Sequence, residues 1–202
     1  MNDTSPTTDA LLAAARGELA ESLQTLGRLD ALLPVIAELA AETAARLRRG
    51  GRVYFFGNGG SAADAQHWAA ELSGRFYVDR PALPAFALGM NASEVTAIGN
   101  DYGYADVFAR PLRGFAGPDD VAVGISTSGN SENVVRALTV AREKGALAVA
   151  FTGEGGGQMA AVADVLVAVP SRSTPRVQEA HEVLGHTFCA LVERLVFGGG
   201  DE

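Results

Sequence analysis

The chain has 202 residues, of which 48% are apolar and 20% charged, and its formal net charge is −8 at neutral pH. This balance is typical of a globular protein with a sizeable core, and it argues against nucleic acid as the main ligand, because a phosphate backbone attracts basic surfaces. No apolar run approaches the ~18 residues of a membrane helix, and no signal-peptide pattern is present. We therefore expect a cytoplasmic protein with no membrane partner, in which the lone Cys189 is a buried core residue.

The first fifty residues predict two helices that pack against the core or another subunit. Residues 1–8 are polar and expected to be frayed. From Asp9 to Leu29 leucines recur at helical spacing, and a second helix is predicted from Asp30 to Arg48, ended by Gly50 and Gly51. Few of these residues are plausible catalytic groups. We expect residues 1–50 to be an attached helical segment and residues 51–197 to form the main part of what is effectively a single domain.

From residue 52 onward, buried strands alternate with helices. The predicted strands are 52–56, 85–89, 121–125, 146–151 and 165–169, and the predicted helices are 60–74, 91–98, 104–115, 130–144 and 176–196. This order indicates a parallel sheet covered on both faces, whose ligands bind outside the carboxyl ends of the strands. Three informative loops lie there, after Phe56, Gly89 and Ile125. The tail at 198–202 is predicted to be disordered.

A glycine-rich turn, Gly57-Asn58-Gly59-Gly60-Ser61, joins the first strand to a helix. Such a turn presents backbone N–H groups at a helix N-terminus, which attracts anions. It has neither the Lys-Ser/Thr ending of a P-loop nor the last glycine of a dinucleotide fingerprint. The helix that follows carries His67 and Glu71 one turn apart on one face, a pair suited to proton transfer or metal binding.

A second turn, Ser126-Thr127-Ser128-Gly129-Asn130-Ser131, also lies between a strand and a helix. Its hydroxyl and N–H donors suit a phosphate group held by neutral hydrogen bonds. Ordinary helix capping is the alternative, but capping accounts for one serine rather than four hydroxyl residues among six. We interpret this turn as the phosphate site, and Gly57–Ser61 as a platform that another part of the ligand approaches.

The last helix leaves two interpretations open. Gln178 and His181 are three residues apart and share a face, whereas Gln178 and His186 differ by about 80° around the helix. Spacing alone therefore favours His181 as the partner of Gln178.

Three arginines are candidate cations for a substrate anion: Arg75, Arg110 and Arg176. The alternative for each is an ion pair at the surface or at a subunit interface. We expect only Arg75 to lie near the site.

Taken together, the motifs resemble the sugar isomerase (SIS) domain family, and most closely its phosphoheptose isomerases. The resemblance rests on the two turns, on His67-Trp-Ala-Ala-Glu71, on Ala97-Ile-Gly-Asn-Asp101 and on Arg176-Val-Gln178-Glu-Ala-His181 followed by His186. It extends from about residue 52 to residue 196. It implies an α/β fold: a flavodoxin-like, doubly wound, five-stranded parallel sheet with N-terminal helices, assembled as a homotetramer with active sites between subunits.

The resemblance also implies an activity. The chain is expected to be an aldose–ketose isomerase that converts sedoheptulose 7-phosphate to D-glycero-D-manno-heptose 7-phosphate, or its C2 epimer, through an enediolate, supplying heptose biosynthesis. A related isomerase of another phosphosugar is a second enzymatic reading. The alternative is a non-catalytic SIS domain that binds a replication initiator or senses a sugar phosphate. The presence of Glu71, Gln178 and His186 favours the enzyme.

The same resemblance assigns roles to residues. It implies that Glu71 and His186 are the catalytic acid/base pair, a carboxylate and an imidazole being suitable groups for moving a proton between two carbons. It implies a zinc site formed by His67, Glu71, Gln178 and His186, although Gln178 is a poor zinc ligand by type and a metal-free polar cluster is the alternative. His181 is left as a supporting or structural histidine. The implied substrate-binding residues are Gly59, Gly60, Ser61, Glu71, Asn100, Asp101, Ser126, Thr127, Ser128, Ser131 and Gln178.

Overall fold

The computed structural model describes residues 6–198. The predictions of frayed or disordered ends fall partly on residues 1–5 and 199–202, which lie outside the described residues. The helices are α1 (Thr8–Leu26), α2 (Leu33–Arg48), α3 (Gly60–Ser73), α4 (Ala92–Asp101), α5 (Ala109–Phe115), α6 (Glu132–Glu143) and α7 (Thr174–Phe197). The strands are β1 (Val53–Gly57), β2 (Ala85–Ala87), β3 (Val121–Ser126), β4 (Leu147–Thr152) and β5 (Val165–Ala168). Over residues 6–198, no helix combines the length and apolarity needed to cross a bilayer.

The five strands form one parallel sheet in the order β2-β1-β3-β4-β5. Val53 of β1 pairs with Ala85 on one side and with Val121 on the other. This is the flavodoxin-like order, in which the chain leaves β1 in one direction and returns beyond it to form β3. The carboxyl ends of β1 and β3 therefore lie side by side at the point where the strand order reverses. The predicted flavodoxin-like sheet is confirmed.

Helices cover both faces of the sheet, so the fold is doubly wound. In β1, Val53 and Phe55 point into a core shared with α2, α3 and α7, while Tyr54 and Phe56 point into a second core shared with α4, α5 and α6. Every residue of β1 is buried, which explains why it reads as a continuous apolar run. Cys189 lies in the first core as a free, buried thiol.

Helix α1 is attached to α7 by a buried arginine. The guanidinium of Arg176 donates hydrogen bonds to the backbone oxygen and the carboxylate of Glu18, both at 2.9 Å, and to the carboxylate of Glu179. The leucine stripe of α1 nevertheless stays at the surface of the single chain, with exposed fractions between 49% and 61% for Leu11, Leu12, Leu19 and Leu23. Within one chain, these four leucines are not part of the core, whereas Leu26 at the end of α1 packs against it.

Several predicted boundaries were wrong by a turn or less. The second helix begins at Leu33, after a short 3₁₀ turn at Leu29–Leu32. Helix α4 continues past Gly99 to Asp101, because a glycine in an exposed helix weakens it by only ~1 kcal/mol. The break comes at Gly103, whose φ of 89° is a backbone conformation that glycine adopts without strain. The segment predicted as one helix at 104–115 is a 3₁₀ turn followed by α5.

Candidate active site

The glycine-rich turn between β1 and α3 is packed too closely for a side chain at two of its positions, Gly57 and Gly60. A Cβ atom on Gly57 would lie 2.7 Å from the Cβ of Ser61 and 2.8 Å from the backbone oxygen of Ile125. A Cβ on Gly60 would lie 2.3 Å from Nε2 of Gln178. Within the chain, the Gln178 amide is the group that approaches this turn closely, and an approach by a substrate stays a prediction. Ser61 is buried at the start of α3.

Two asparagines join this turn to the start of α6. The amide of Asn58 donates to Oδ1 of Asn133 at 2.9 Å, and the amide of Asn133 donates back to Oδ1 of Asn58 at 2.8 Å. The Tyr104 hydroxyl donates to the same Asn58 oxygen at 3.0 Å. This link was not predicted from the sequence, although Asn58 lies inside the glycine motif. A cleft of about 90 Å³ borders it, lined in part by Gly59, Gly89 and Tyr104.

The hydroxyl residues after β3 form one cluster. The Oγ atoms of Ser126 and Ser131 are 2.8 Å apart, and those of Ser126 and Ser128 are 3.4 Å apart. Ser131 occupies the N-cap position of α6, yet its side chain makes no capping hydrogen bond. The capping alternative therefore does not account for this serine. Thr127 is half-buried beside the cluster, and the predicted phosphate residues all lie on one turn at a helix N-terminus.

A second cluster, of carboxylates and imidazoles, lies between α3 and α7. Nε2 of His67 is 3.0 Å from Oε1 of Glu71 and 3.4 Å from Nε2 of His186. His181 lies outside this cluster. Its ring is fully buried between α7 and the sheet, and its Nε2–H donates to the backbone oxygen of Thr152 at 3.1 Å. The structure thus brings together His67, Glu71 and His186, and it places His181, which spacing alone favoured as the partner of Gln178, outside this cluster.

Glu182 belongs to this cluster and was missed. Its Oε1 is 2.5 Å from Nδ1 of His67 and 3.5 Å from Nε2 of His186, and its Oε2 accepts the indole N–H of Trp68 at 3.1 Å. Its position four residues before His186 was the available signal. His67, Glu182 and His186 each offer one possible metal-ligand atom within 4.8 Å of the others.

This candidate metal-binding group differs from the predicted zinc ligands. It keeps His67 and His186 and adds Glu182. Glu71 contacts His67 but is not one of the three residues of the group. Gln178 lies two helical turns before His186 on α7, where its side chain packs against Gly60. The donor types, two imidazoles and a carboxylate, are those that zinc accepts. Gln178 as a metal ligand stays a prediction.

Close packing of α3 on α7 makes the cluster possible. Trp68 of α3 is fully buried, and its ring lies 5.1 Å from that of Phe151. A Cβ on Gly185 of α7 would lie 2.0 Å from Cε2 of this indole. The missing side chain at Gly185 therefore admits the Trp68 ring. Because His67 and His186 are the neighbours of these two residues in sequence, the same contact brings the imidazoles together.

The cluster carries an excess of negative groups. Asp64, one turn before His67, has a buried carboxylate oxygen without a hydrogen-bond partner among the described residues. Burial, and then the charge of Glu182, raise the pKa of Asp64 to about 6, against the opposing effect of His67. With Glu71 and Glu182, three carboxylates thus surround two imidazoles. Such an excess of carboxylates favours the binding of a proton or a metal cation.

The remaining predicted residues lie on the surface or serve the fold. Asn100 and Asp101 are exposed at the end of α4, where the Asn100 amide donates to Oδ1 of Asp101 at 2.8 Å. Arg75 is exposed, and the guanidinium of Arg110 lies over the ring of Tyr102 at 3.8 Å. Arg176 is hydrogen-bonded to Glu18 of α1. Contacts of Asn100, Asp101 and Arg75 with a substrate stay predictions.

Comparison with known proteins identifies the family. The SIS domain model matches residues 19–153. The phosphoheptose isomerase of Rhodospirillum rubrum is 52% identical over 166 residues, which cover 82% of this chain and 88% of that protein. The chain belongs to the phosphoheptose isomerases of the SIS domain family.

Other members of this isomerase family agree in sequence and in fold. The phosphoheptose isomerase of Nitratidesulfovibrio vulgaris is 54% identical over 162 residues, covering 80% of this chain and 78% of that one. A solved phosphoheptose isomerase from Neisseria gonorrhoeae is 40% identical, with a TM-score of 0.86 over 91% of this chain and 98% of the other. The chain is accordingly an isomerase of this family with the family's fold.

His181 gives this family member a stability that depends on pH. Burial lowers the pKa of the His181 imidazole to about 4, and only its bond to Thr152 opposes the shift. In the unfolded chain histidine titrates near ~6.5, so between these pH values the unfolded state binds the extra proton. We expect the free energy of unfolding to fall by on the order of 3 kcal/mol as the pH drops from ~6.5 to ~4.

Denaturant unfolding of wild type and His181→Gln from pH 4 to pH 8 measures this effect. A glutamine amide can still donate to Thr152 but does not titrate, so the variant should lose most of the decline. Asp64 contributes with the opposite sign, because its folded pKa is raised and its stabilising effect is lost as the pH rises through about 6. That contribution is common to both proteins. Parallel pH curves for the two would contradict the assignment to His181.

Proposed function

We propose that the chain converts sedoheptulose 7-phosphate to D-glycero-D-manno-heptose 7-phosphate, or its C2 epimer, through an enediolate, and so supplies heptose biosynthesis. The relatives of about 50% identity are named phosphoheptose isomerases. A non-catalytic binding role is not favoured, because the chain contains the carboxylate and the imidazoles that proton transfer needs.

The observation that carries the proposal is the presence of two complementary clusters, one at the carboxyl end of β3 and one between α3 and α7. The neutral donors around Ser126 and Ser131 suit a phosphate group, and the cluster of His67, Glu71 and His186 suits proton transfer. The paired amides of Asn58 and Asn133 connect the glycine turn before α3 to the start of α6, beside the hydroxyl cluster. A sugar phosphate has an anion at one end, which suits the hydroxyl cluster. It has a reacting carbonyl at the other end, which suits the cluster of His67, Glu71 and His186.

In this proposal, Glu71 and His186 are the acid/base pair. Isomerisation moves one proton between C1 and C2 of the sugar and shifts another between their oxygens, so it needs two groups that exchange protons. Glu71 is largely shielded, with 20% of its side chain exposed, while the His186 side chain is 38% exposed on the opposing helix. Phosphate contacts are assigned to Ser126, Thr127, Ser128 and Ser131, and sugar contacts to Gly59, Gly60, Ser61, Asn100, Asp101 and Gln178.

We also propose that zinc binds at this cluster, through His67, Glu71 and His186 with Gln178 as a further candidate. Support comes from the charge balance: three carboxylates face two imidazoles, and one carboxylate oxygen of Asp64 is buried without a partner among the described residues. When bound, zinc supplies Lewis-acid polarisation of a sugar oxygen. His67 contacts both Glu71 and His186, and it therefore holds these two side chains in position.

We infer that the protein acts in the cytoplasm as a homotetramer with active sites between subunits. The exposed leucines of α1 support assembly, because a regular apolar stripe on a helix usually packs against another surface. The exposed positions of Asn100 and Asp101 leave them available to a substrate held at such an interface.

Turnover of sedoheptulose 7-phosphate by the full chain tests the function. We expect NMR to show a heptose 7-phosphate product and exchange of the C2 proton with solvent, and dialysis against a chelator to lower the rate until zinc is returned. Unphosphorylated sedoheptulose is the matched control and should react far more slowly, because it lacks the anion that the hydroxyl cluster binds. Folded, zinc-supplied protein that leaves the ketose unchanged would refute the proposal.

A further inference from the structure

Glu182 lies closer to His67 than any other side chain of the cluster does. Its Oε1 lies 2.5 Å from Nδ1 of His67, a close ion-pair contact between the carboxylate and the ring. Two ligands on one tetrahedral zinc ion, each bonded at ~2.0–2.1 Å, lie about 3.3 Å apart. A separation of 2.5 Å is therefore too small for Glu182 and Nδ1 to bind the same ion.

The other ring nitrogen of His67 has the spacing that a metal site requires. Its Nε2 lies 3.4 Å from Nε2 of His186 and 3.0 Å from Oε1 of Glu71, both close to that ligand–ligand distance. If Nδ1 carries the proton and donates it to Glu182, Nε2 keeps a lone pair directed at these two groups. The Glu71 carboxylate also lies within hydrogen-bond distance of Nε2, so it is a metal ion on Nε2 that leaves Nδ1 as the protonated nitrogen.

Trp68 in turn holds Glu182. The indole N–H donates to Oε2 of Glu182 at 3.1 Å, and the indole itself is fully buried against Gly185 and Phe151. Both oxygens of this carboxylate are therefore engaged, one by a rigid core residue and one by His67. A half-exposed glutamate without such a fixed partner would lose side-chain entropy to hold this position.

We propose that Glu182 is a positioning residue that fixes His67 as the Nδ1–H tautomer and so directs Nε2 toward a metal ion shared with His186. A carboxylate that accepts the second N–H of a metal-bound histidine orients the ring and raises its basicity. The chain Trp68–Glu182–His67 then connects the buried core to the reacting cluster. This inference rests on the proposed metal, and it assigns to Glu182 a role other than that of a direct ligand.

Zinc affinity is the first test. Competition with a chelating dye should show a loss of 10- to 100-fold for Glu182→Leu, the usual effect of removing a carboxylate behind a metal-bound histidine. Glu182→Gln, whose side-chain oxygen still accepts the Nδ1 proton, should recover most of the affinity. Trp68→Phe should lower it less than Glu182→Leu. The matched control is Glu143→Gln on α6, an exposed carboxylate on the other face of the sheet, which should bind zinc like wild type.

The second test reads the tautomer directly. The chain has three histidines, so ¹⁵N spectra of the zinc-loaded, histidine-labelled protein contain few imidazole signals. We expect His67 to bind the metal through Nε2 and to keep a slowly exchanging proton on Nδ1, and we expect this proton to exchange rapidly in Glu182→Leu. Metal bound through Nδ1, or unchanged zinc affinity in Glu182→Leu, would overturn the proposal.

The outcomes separate this proposal from the isomerase function. Wild-type protein that binds no zinc overturns the positioning role and the metal together, while turnover of the ketose still decides the function. Protein that binds zinc with the expected tautomer but leaves sedoheptulose 7-phosphate unchanged supports the role of Glu182 and refutes the substrate. X-ray absorption that shows a glutamate oxygen lost from zinc in Glu182→Gln would make Glu182 a direct ligand and overturn the proposal.

Discussion

Replacing Glu71 with glutamine is expected to lower kcat for ketose–aldose isomerisation by about 10²- to 10⁴-fold, the usual effect of removing a general acid or base. Glutamine preserves the size of the side chain but cannot take up a proton from carbon. His186→Ala should cause a loss of the same order, because it removes the imidazole on the opposing helix. Steady-state assays of the purified variants, with zinc supplied, measure both effects.

Controls for this prediction must separate chemistry from folding. Circular dichroism and the denaturation midpoint should stay close to wild type, since the side chain of Glu71 contacts only His67 among the hydrogen bonds and ion pairs of the described residues. Glu143→Gln makes the same chemical change away from the cluster and should keep full activity. A Glu71→Gln variant within a factor of three of wild-type kcat would exclude Glu71 as the acid or base.

Gly185→Ala is expected to reduce the free energy of unfolding by about 2–3 kcal/mol, as overpacking of a filled core does. The new Cβ would lie 2.0 Å from Cε2 and 2.3 Å from Nε1 of Trp68, well inside van der Waals contact. The indole is packed against Phe55 and Phe151 and has no free space to enter. For a chain of this length, the loss corresponds to a decrease in Tm of roughly 4–12 °C.

Two further variants make the steric cause testable. Gly17→Ala changes a glycine in α1 that has no neighbour within 4 Å at the Cβ position, and it should stabilise the chain slightly through helix propensity. Trp68→Phe combined with Gly185→Ala should recover part of the loss, because a smaller ring leaves room for the methyl group. If Gly185→Ala unfolds at the same denaturant concentration as wild type, the close contact of α3 with α7 is wrong.

The arrangement of α3 and α7 also explains why His186, and not His181, joins the cluster of His67 and Glu71. Residues five apart on a helix differ in direction by about 140° at 100° per residue, so the two histidines face nearly opposite sides. His181 faces the sheet, with its ring 5.8 Å from that of Phe151, and His186 faces His67 across the helix pair. The buried histidine supports the fold, and its neutral state matches its surroundings.

Much of the architecture could be predicted from the sequence, because local patterns reflect local structure. Continuous apolar runs bounded by turns indicated the five parallel strands, and both turn motifs were correctly placed between a strand and a helix. His67 and Glu71 were correctly paired, because a separation of four residues on one helix fixes their relative direction. The family resemblance added His186, which spacing alone did not favour.

Tertiary structure alone decided how the separate elements meet. Helical spacing gives the direction of a side chain on its own helix, but the neighbour that it faces depends on packing, here on the Trp68 indole lying against Gly185. That contact brought Glu182 to His67 and left Gln178 at Gly60, two turns away. Likewise, the leucine stripe of α1 was visible in the sequence, but only the folded chain shows that it lies outside the core of a single subunit.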